Sequence, residues 1–443
     1  MIFTILISKL IAKALNLFSF GATTLPGRVA LKLKINILNR LSKGVKIICV
    51  TGTNGKTTTC ALLEYSLKKK GLSYFINKSG ANMISGVATA FIMNCNLLGK
   101  CKREYAILEC DENSFPEISR YLDASVVAVT NIFRDQLDRY GELDSALNSI
   151  INAIENLPKA KVVLNADCPL TYSISKLCKN EIITFGINEN INFTAVSDNR
   201  YCPFCRSELR YFSRTYAQLG DYCCPKCSYK RVSPDICIES VSDINEEGSS
   251  FILSCGDKTE LSKTSLGGIY NLYNYCCACT ILKTLGIYEN GLLSDFSGAF
   301  GRMEKFQYND KTILLLLVKN PVGYSNCISY ASNIKGNYDA VFALNDNDAD
   351  GCDVSWIWDT SFLKLKGCFE NAHTIGKRSF DMALRLKYDG ITVCRLIDGE
   401  NYGELIKLIK KGNRDFVIFA NYTSMMNMRK HFVEAFGGKK FWE

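Results

Sequence analysis

The sequence predicts an α/β protein, with two domains built on largely parallel sheets that carry helices on both faces. Three observations predict it. Short β-rich apolar runs alternate with helical patterns along most of the chain. The first run passes through the glycine-rich turn Gly52-Thr53-Asn54-Gly55-Lys56-Thr57-Thr58 into a helix. The alternation breaks between about Asn199 and Val232, where cysteines and basic residues cluster, and resumes after Phe306. At 443 residues the chain exceeds one ordinary domain.

Residues 1–44 read as an N-terminal helical segment. Ile2, Leu6, Leu10, Ala14 and Leu17 recur at helical spacing. Lys9 and Lys13 lie inside this apolar stretch, whereas a secretory leader carries its charge before the apolar run. The uncharged part is also too short to span a bilayer. The stripe suits packing on the protein's own body, or an interfacial helix touching the inner leaflet. The expected location is cytoplasmic, either free or peripheral at that leaflet. Thiols stay reduced there, so most of the 21 cysteines serve as small buried apolar residues.

Residues 45–305 read as the first α/β domain. Strands are expected at Val45–Val50, Tyr105–Leu108, Ser125–Thr130, Lys161–Leu164 and Glu181–Thr184, with shorter β-like runs at Ile236–Val241 and Ser250–Ser254. A helix is expected from Asn271 to about Leu285. Residues 306–443 read as a second α/β domain with strands at Ile313–Val318, Tyr338–Leu344, Ile391–Leu396 and Asp415–Ala420. The composition, 47% hydrophobic and 22% charged, is that of a globular chain. A net charge of +9 suits phosphorylated or acidic substrates and anionic membranes without requiring nucleic acid.

The turn after Val45–Thr51 has the context of a phosphate loop, with a strand before it and a helix after it. Backbone N–H groups at the helix start point at phosphates, and the helix dipole favours their charge. Lys56 is placed for the β- and γ-phosphates and the Thr57 hydroxyl for Mg²⁺. The loop's first glycine is Gly52, where the general pattern would place one at residue 50.

Cys202-Pro-Phe-Cys205, eighteen residues, then Cys224-Pro-Lys-Cys227 has the spacing of a zinc ribbon, inserted at about 199–232. Four thiolates with no open position make a structural Zn²⁺ site. Cys223 is a spare with poorer spacing.

Taken together, the loop and several later pieces resemble the Mur ligases and folylpolyglutamate synthases. Glu109 resembles that family's Mg²⁺-binding glutamate, and Asn131 its Thr-Asn segment. Asn165-Ala166-Asp167 is similar to its Asn-x-Asp segment. Asn271 and Asn274 match its Gly-x-x-Asn-x-x-Asn helix start, and Gly301-Arg302-x-Glu304 its Gly-Arg-x-Glu segment. The resemblance implies a Mur ligase-type P-loop ATPase domain followed by a Rossmann-like domain, with ATP held by residues 52–58, Asn271 and Arg302, and Mg²⁺ by Thr57 and Glu109. One departure is Asp135-Gln136, where the family has Asp-His.

The ribbon, Leu25-Pro26-Gly27, Lys319-Asn320-Pro321 and the acidic stretch Leu344–Asp359 further resemble the MurT branch of the family. That stretch holds five aspartates and two of the chain's three tryptophans. This resemblance implies amidation of the D-glutamate α-carboxylate in the lipid II stem peptide, through an acyl phosphate and with ammonia from a GatD-type glutaminase partner. It implies that Asp353 completes the partner's catalytic triad, with Asp350 as second choice, and that lipid II is met at the inner membrane surface. His373 and His431 are the only histidines and lie in no nucleophile motif, so this chain carries no evident glutaminase of its own. A conventional ligase that adds an amino acid is the alternative.

Overall fold

A computed structural model describes residues 1–17, 23–77, 81–133, 142–190, 201–245, 248–256, 258–296, 303–334, 336–347 and 350–437. They form two compact units, one holding residues up to 296 and the other those from 303 on.

The strands of the first unit are β1 (Lys46–Thr51), β2 (Tyr74–Ile76), β3 (Tyr105–Glu109), β4 (Ala124–Val129), β5 (Lys161–Asn165), β6 (Ile182–Ile187), β7 (Arg210–Tyr216), β8 (Leu219–Cys223), β9 (Ile236–Asn245), β10 (Gly248–Cys255) and β11 (Lys258–Thr264). Nine of them make one sheet in the order β11-β10-β9-β6-β5-β4-β1-β3-β2, parallel from β9 to β2 and antiparallel at the β9-β10-β11 edge. Strands β7 and β8 form a separate hairpin.

After Lys46 every residue of β1 is buried, as a central parallel strand covered on both faces requires. The chain runs from β1 to β2 and β3 on one side, then crosses to β4 on the other. That switch opens a crevice at the carboxyl end of β1, the usual ligand position in such sheets. The register places Glu109 beside Val50, and Val129 beside Thr51.

The N-terminal segment packs within this unit as helices Ile2–Leu17, Leu25–Leu33 and Ile37–Leu41. Leu25-Pro26-Gly27 has a packing role. The helix it starts crosses the helix Ile84–Asn94 so closely that a Cβ on Gly27 would lie 1.9 Å from the Ser85 carbonyl oxygen. Among the described residues no helix is long and apolar enough to cross a membrane.

The second unit contains β12 (Met303–Tyr308), β13 (Lys311–Leu317), β14 (Tyr338–Ala343), β15 (Ala372–Gly376), β16 (Val393–Asp398) and β17 (Asp415–Ala420). Their order is β12-β13-β17-β14-β15-β16, parallel except for the β12–β13 hairpin. Apolar clusters cover both faces, one around Phe342 and Phe419, the other around Ile418 and Phe432. Met303, Glu304 and Lys305 pair in this hairpin, so its first strand starts three residues before the expected domain start at 306. The strand expected at Ile391–Leu396 lies two residues later.

Candidate functional site

The loop between β1 and the helix Lys56–Lys69 depends on two glycines. Gly52 has φ +119° and Gly55 φ +86°, in the region that side chains avoid. Neighbours also exclude a side chain at both. A Cβ on Gly52 would lie 2.4 Å from Thr130 Oγ1, and one on Gly55 2.0 Å from Asn274 Oδ1. Gly55 is the N-cap of the helix, and no side chain caps it. A helix start without a side-chain cap is the kind that can offer first-turn N–H groups to an anion.

The residues between the glycines are braced by the end of β4. The Thr53 N–H donates to the Asn131 carbonyl at 2.9 Å, and the Asn54 N–H to Asn131 Oδ1 at 3.0 Å. The Thr53 hydroxyl donates to the Phe133 carbonyl at 3.1 Å and accepts from the Phe133 N–H at 3.0 Å. Asn165 donates to the Thr130 carbonyl at 3.0 Å, tying in the end of β5.

The polar groups expected to bind phosphate and metal come together. Lys56 Nζ lies 2.8 Å from Glu112 Oε1 and also donates to the Gly52 carbonyl. Glu112 is a partner that sequence reasoning missed. The Thr57 hydroxyl donates to Glu109 Oε1 at 3.2 Å. Neighbouring ligands of an octahedral Mg²⁺ stand about 2.9 Å apart, so these two oxygens fit one ion. Asn77 fixes Glu109 from behind, accepting from its N–H at 2.8 Å and donating to its carbonyl at 2.9 Å.

Thr58 is buried one position further into the helix. Asn271 Oδ1 accepts from Asn274 Nδ2 at 3.2 Å, and Asn271 Nδ2 donates to the Gly267 carbonyl at 2.8 Å. Asn271 therefore supports the residue that presses on Gly55. Arg302 and the segment 134–141, with Asp135-Gln136, lie outside the described residues. Glu304 is described, and pairs with Arg429 at 2.6 Å within the second unit.

The four ribbon cysteines converge. Their sulfurs all lie within 4.8 Å of one another, with Cys202–Cys227 at 3.6 Å, Cys205–Cys224 at 3.4 Å and Cys205–Cys227 at 3.8 Å. A tetrahedral ion with bonds of about 2.3 Å holds its sulfurs about 3.8 Å apart, so the set fits Zn²⁺. Hydrogen bonding with the side chain and backbone of Ser207 lowers the Cys205 thiol pKa to about 6. Cys223 belongs to β8 and not to the set.

The ribbon is tied to the sheet by Asp167, which is wholly buried and 2.7 Å from Arg231 Nε. Burial raises this carboxyl above its usual range, and Arg231 opposes the shift. Asp167 also accepts from Tyr273 OH at 2.7 Å and from the Ile187 N–H at 2.8 Å. The Asn-x-Asp segment thus serves the loop through Asn165 and the ribbon through Asp167. Elsewhere, burial pushes the Cys60, Cys276 and Cys279 thiols well above the ordinary range, as inert core thiols require.

In the second unit Asp353 accepts from the Ser355 N–H at 2.7 Å and the Ser355 hydroxyl at 2.9 Å, before the short 3₁₀ turn Ser355–Asp359. Asp350 accepts from the Thr423 N–H at 2.8 Å and from its hydroxyl. Burial raises the Asp350 carboxyl, with Thr423 opposing. Trp356 is buried, whereas Trp358 is exposed and meets Tyr388 edge-on at 5.2 Å. Phe380, Leu384 and Tyr388 form an exposed stripe at i, i+4, i+8. His373 is buried in β15, and His431 lies beside Tyr402.

A parallel sheet with a phosphate loop at its switch point, joined to a second α/β unit, defines a Mur ligase fold. Solved structures agree. The chain aligns with a pseudomurein peptide ligase type C from Methanothermus fervidus at TM-score 0.69 and 24% identity, covering 90% of this chain and 80% of that one. It aligns with MurF from Acinetobacter baumannii at TM-score 0.67 and 16% identity, covering 92% and 80%. Residues 50–210 match the Mur ligase middle domain, and residues 317–425 the MurT ligase C-terminal domain. A lipid II isoglutaminyl synthase (glutamine-hydrolyzing) subunit MurT from Streptococcus pneumoniae is 36% identical over 92% of each chain. Its counterpart from Staphylococcus aureus is 34% identical over 98% of each. The chain belongs to the MurT family.

Proposed function

We propose that this chain is the synthetase subunit of a lipid II amidotransferase. It converts the α-carboxylate of D-glutamate in the stem peptide to the amide, giving D-isoglutamine, with ATP consumed and ammonia supplied by a GatD-type glutaminase. The observation that carries this reading is the cluster Lys56, Thr57 and Glu109 at the helix start, in a chain that matches MurT subunits over nearly its whole length.

ATP with Mg²⁺ supplies the phosphoryl group that makes the carboxylate an acylating species. The residues 52–58 bind and orient the phosphates, assisted by Asn271 and Arg302. Lys56 and the helix dipole offset charge that builds on the phosphoryl oxygens during transfer. Thr57 and Glu109 hold the Mg²⁺. Ammonia adds to the acyl phosphate, and the tetrahedral adduct expels phosphate and leaves the amide.

Cys202, Cys205, Cys224 and Cys227 hold a structural Zn²⁺. Asp353 orients the partner's catalytic histidine and stabilises its cationic form. The exposed Trp358, Phe380, Leu384 and Tyr388 support a docking face for that partner, since exposed aromatics grouped on one face mark interfaces. A lipid-linked substrate places the chain at the inner leaflet.

The test is to purify the chain with the neighbouring glutaminase and supply lipid II and ATP with glutamine, with ammonium, or with neither. Amidation of the second stem residue only when ATP and a nitrogen donor are both present supports the reading. Transfer of a whole amino acid overturns it.

A further inference from the structure

The helix Ile2–Leu17 is packed with its bulky apolar side outward. Thr4, Ile5, Ser8 and Ala12 face the protein, and three of these four are small. Ile2, Phe3, Leu6 and Leu10 face outward at 52%, 69%, 42% and 57% exposure. A helix that only covers a core in water shows the reverse arrangement.

A second feature lies beside it. The Gly99 N–H donates to the Asn96 carbonyl at 3.0 Å, closing a turn whose two central residues are Leu97 and Leu98. Turn centres favour Gly, Pro, Asn, Asp and Ser, yet these leucines are 46% and 64% exposed. The two features adjoin: a Cβ on Gly99 would lie 3.0 Å from the Met1 side chain, and Lys9 Nζ donates to the Cys95 carbonyl at the turn's start.

The third observation is charge. Seven lysines and two arginines precede Glu64, and no acidic residue does. Lys13, Lys100 and Lys102 are exposed around the apolar patch.

We propose that this face is a membrane-docking surface, seated on an anionic lipid bilayer. Phe3, Leu6, Leu10, Leu97 and Leu98 enter the boundary between headgroups and acyl chains, and the lysines meet anionic headgroups. A second copy of the chain fits less well, because a two-fold contact would set like charges against each other. The proposal deepens, and takes its purpose from, the reading of a lipid-linked substrate. The binding itself requires no catalysis.

The experiment is co-sedimentation of the full chain with phosphatidylcholine vesicles, with and without about 30% phosphatidylglycerol. The wild type binds the anionic vesicles and is released by about 0.5 M salt. Leu97→Glu/Leu98→Glu and, separately, Phe3→Glu/Leu10→Glu each weaken binding by more than about tenfold, as do neutral vesicles. The turn variant changes exposed positions only, so it retains the fold, and with the glutaminase it amidates a water-soluble lipid II fragment at the wild-type rate. Wild-type chain that stays in the supernatant overturns the proposal. So do variants that bind as well as wild type, or variants that only convert a dimer to a monomer. If the wild type binds vesicles but amidates no substrate, the functional reading fails and the docking surface stands.

Discussion

Asn274 presses its side-chain oxygen onto Gly55, at a point where a Cβ would come within 2.0 Å. The turn that presents the helix N-terminus is therefore held from the helix Ile269–Thr284 as well as from its own φ of +86°. Gly55→Ala meets both a strained conformation and a steric clash. It is expected to weaken ATP binding by about 100-fold or more, roughly 3 kcal/mol, by calorimetric titration. Asn274→Ala removes the clash but leaves the strain, so the double variant recovers part of the loss. Equal binding by Gly55→Ala and wild type would refute this account.

On the proposed reading, Glu112 is a competitor of nucleotide for Lys56. The pair lies 2.8 Å apart with both side chains largely buried, so a Lys56 that binds phosphate, as proposed, has to give up this carboxylate. Glu112→Gln removes the competing charge and a repulsion of the triphosphate. ATP affinity should rise about threefold to tenfold, an effect of about 1 kcal/mol. Weaker binding would assign Glu112 to the metal or the phosphates. Lys56→Met, in contrast, should cost about 100-fold or more in rate.

The ribbon sulfurs predict one zinc per chain. Cys202→Ser and Cys205→Ser should each lose it, by elemental analysis of purified protein. Cys223→Ser should keep it, because that thiol lies outside the four-sulfur set. Removing metal with a chelator should expose the ribbon tyrosines Tyr222 and Tyr229, which pack with Tyr172. Loss of the near-ultraviolet circular dichroism signal would report this. An unchanged signal in a metal-free chain would show that the tyrosine core holds the ribbon without an ion.

The phosphate loop and the ribbon were legible because both are local patterns. A glycine at fixed spacing and two Cys-x-x-Cys pairs carry their geometry in sequence. Glu112 was not legible, since a lone carboxylate after a strand gives no signal of the lysine it pairs with. The link from Asp167 to Arg231 was hidden for the same reason, as a tertiary contact across the ribbon. Strand β15 escaped because Ala372-His373-Thr374-Ile375-Gly376 is short and mixed. The first helix shows a further limit. Its period located the helix, but a period does not say which stripe faces inward.

His373 should make the second unit acid-sensitive. Burial lowers its pKa from the usual 6.5 and Arg395 adds to this, while Asp339 at 3.9 Å opposes it. Below pH 6.5 the unfolded chain takes up a proton that the folded chain resists. The His373 contribution is therefore full above about pH 6.5 and is lost as pH falls through the folded value. The slope approaches about 1.4 kcal/mol per pH unit. Urea melts of wild type and His373→Leu at pH 7.5 and pH 5.5 measure it. The variant should show the smaller drop, and equal drops would clear His373.

Ser355 gives the Asp353 assignment a sharper test than Asp353 alone. Both Asp353 oxygens accept from Ser355, one from its N–H at 2.7 Å and one from its hydroxyl at 2.9 Å. An aspartate that orients a partner's histidine must itself be held at a fixed angle. Ser355→Ala removes the hydroxyl bond and keeps the N–H bond. It should lower glutamine-dependent amidation several-fold, a loss of about 1 kcal/mol in transition-state stabilisation. Asp353→Asn should nearly abolish that activity. Both variants should keep the wild-type rate when ammonium replaces glutamine, because the synthetase step then needs nothing from the partner's triad. Asp350 is held differently, by the N–H and hydroxyl of Thr423. If Asp350→Asn rather than Asp353→Asn separates the two nitrogen sources, the triad position is Asp350 and the Ser355 contacts only shape the turn. If every variant loses both activities together, the acidic stretch serves folding or docking and not the glutaminase chemistry.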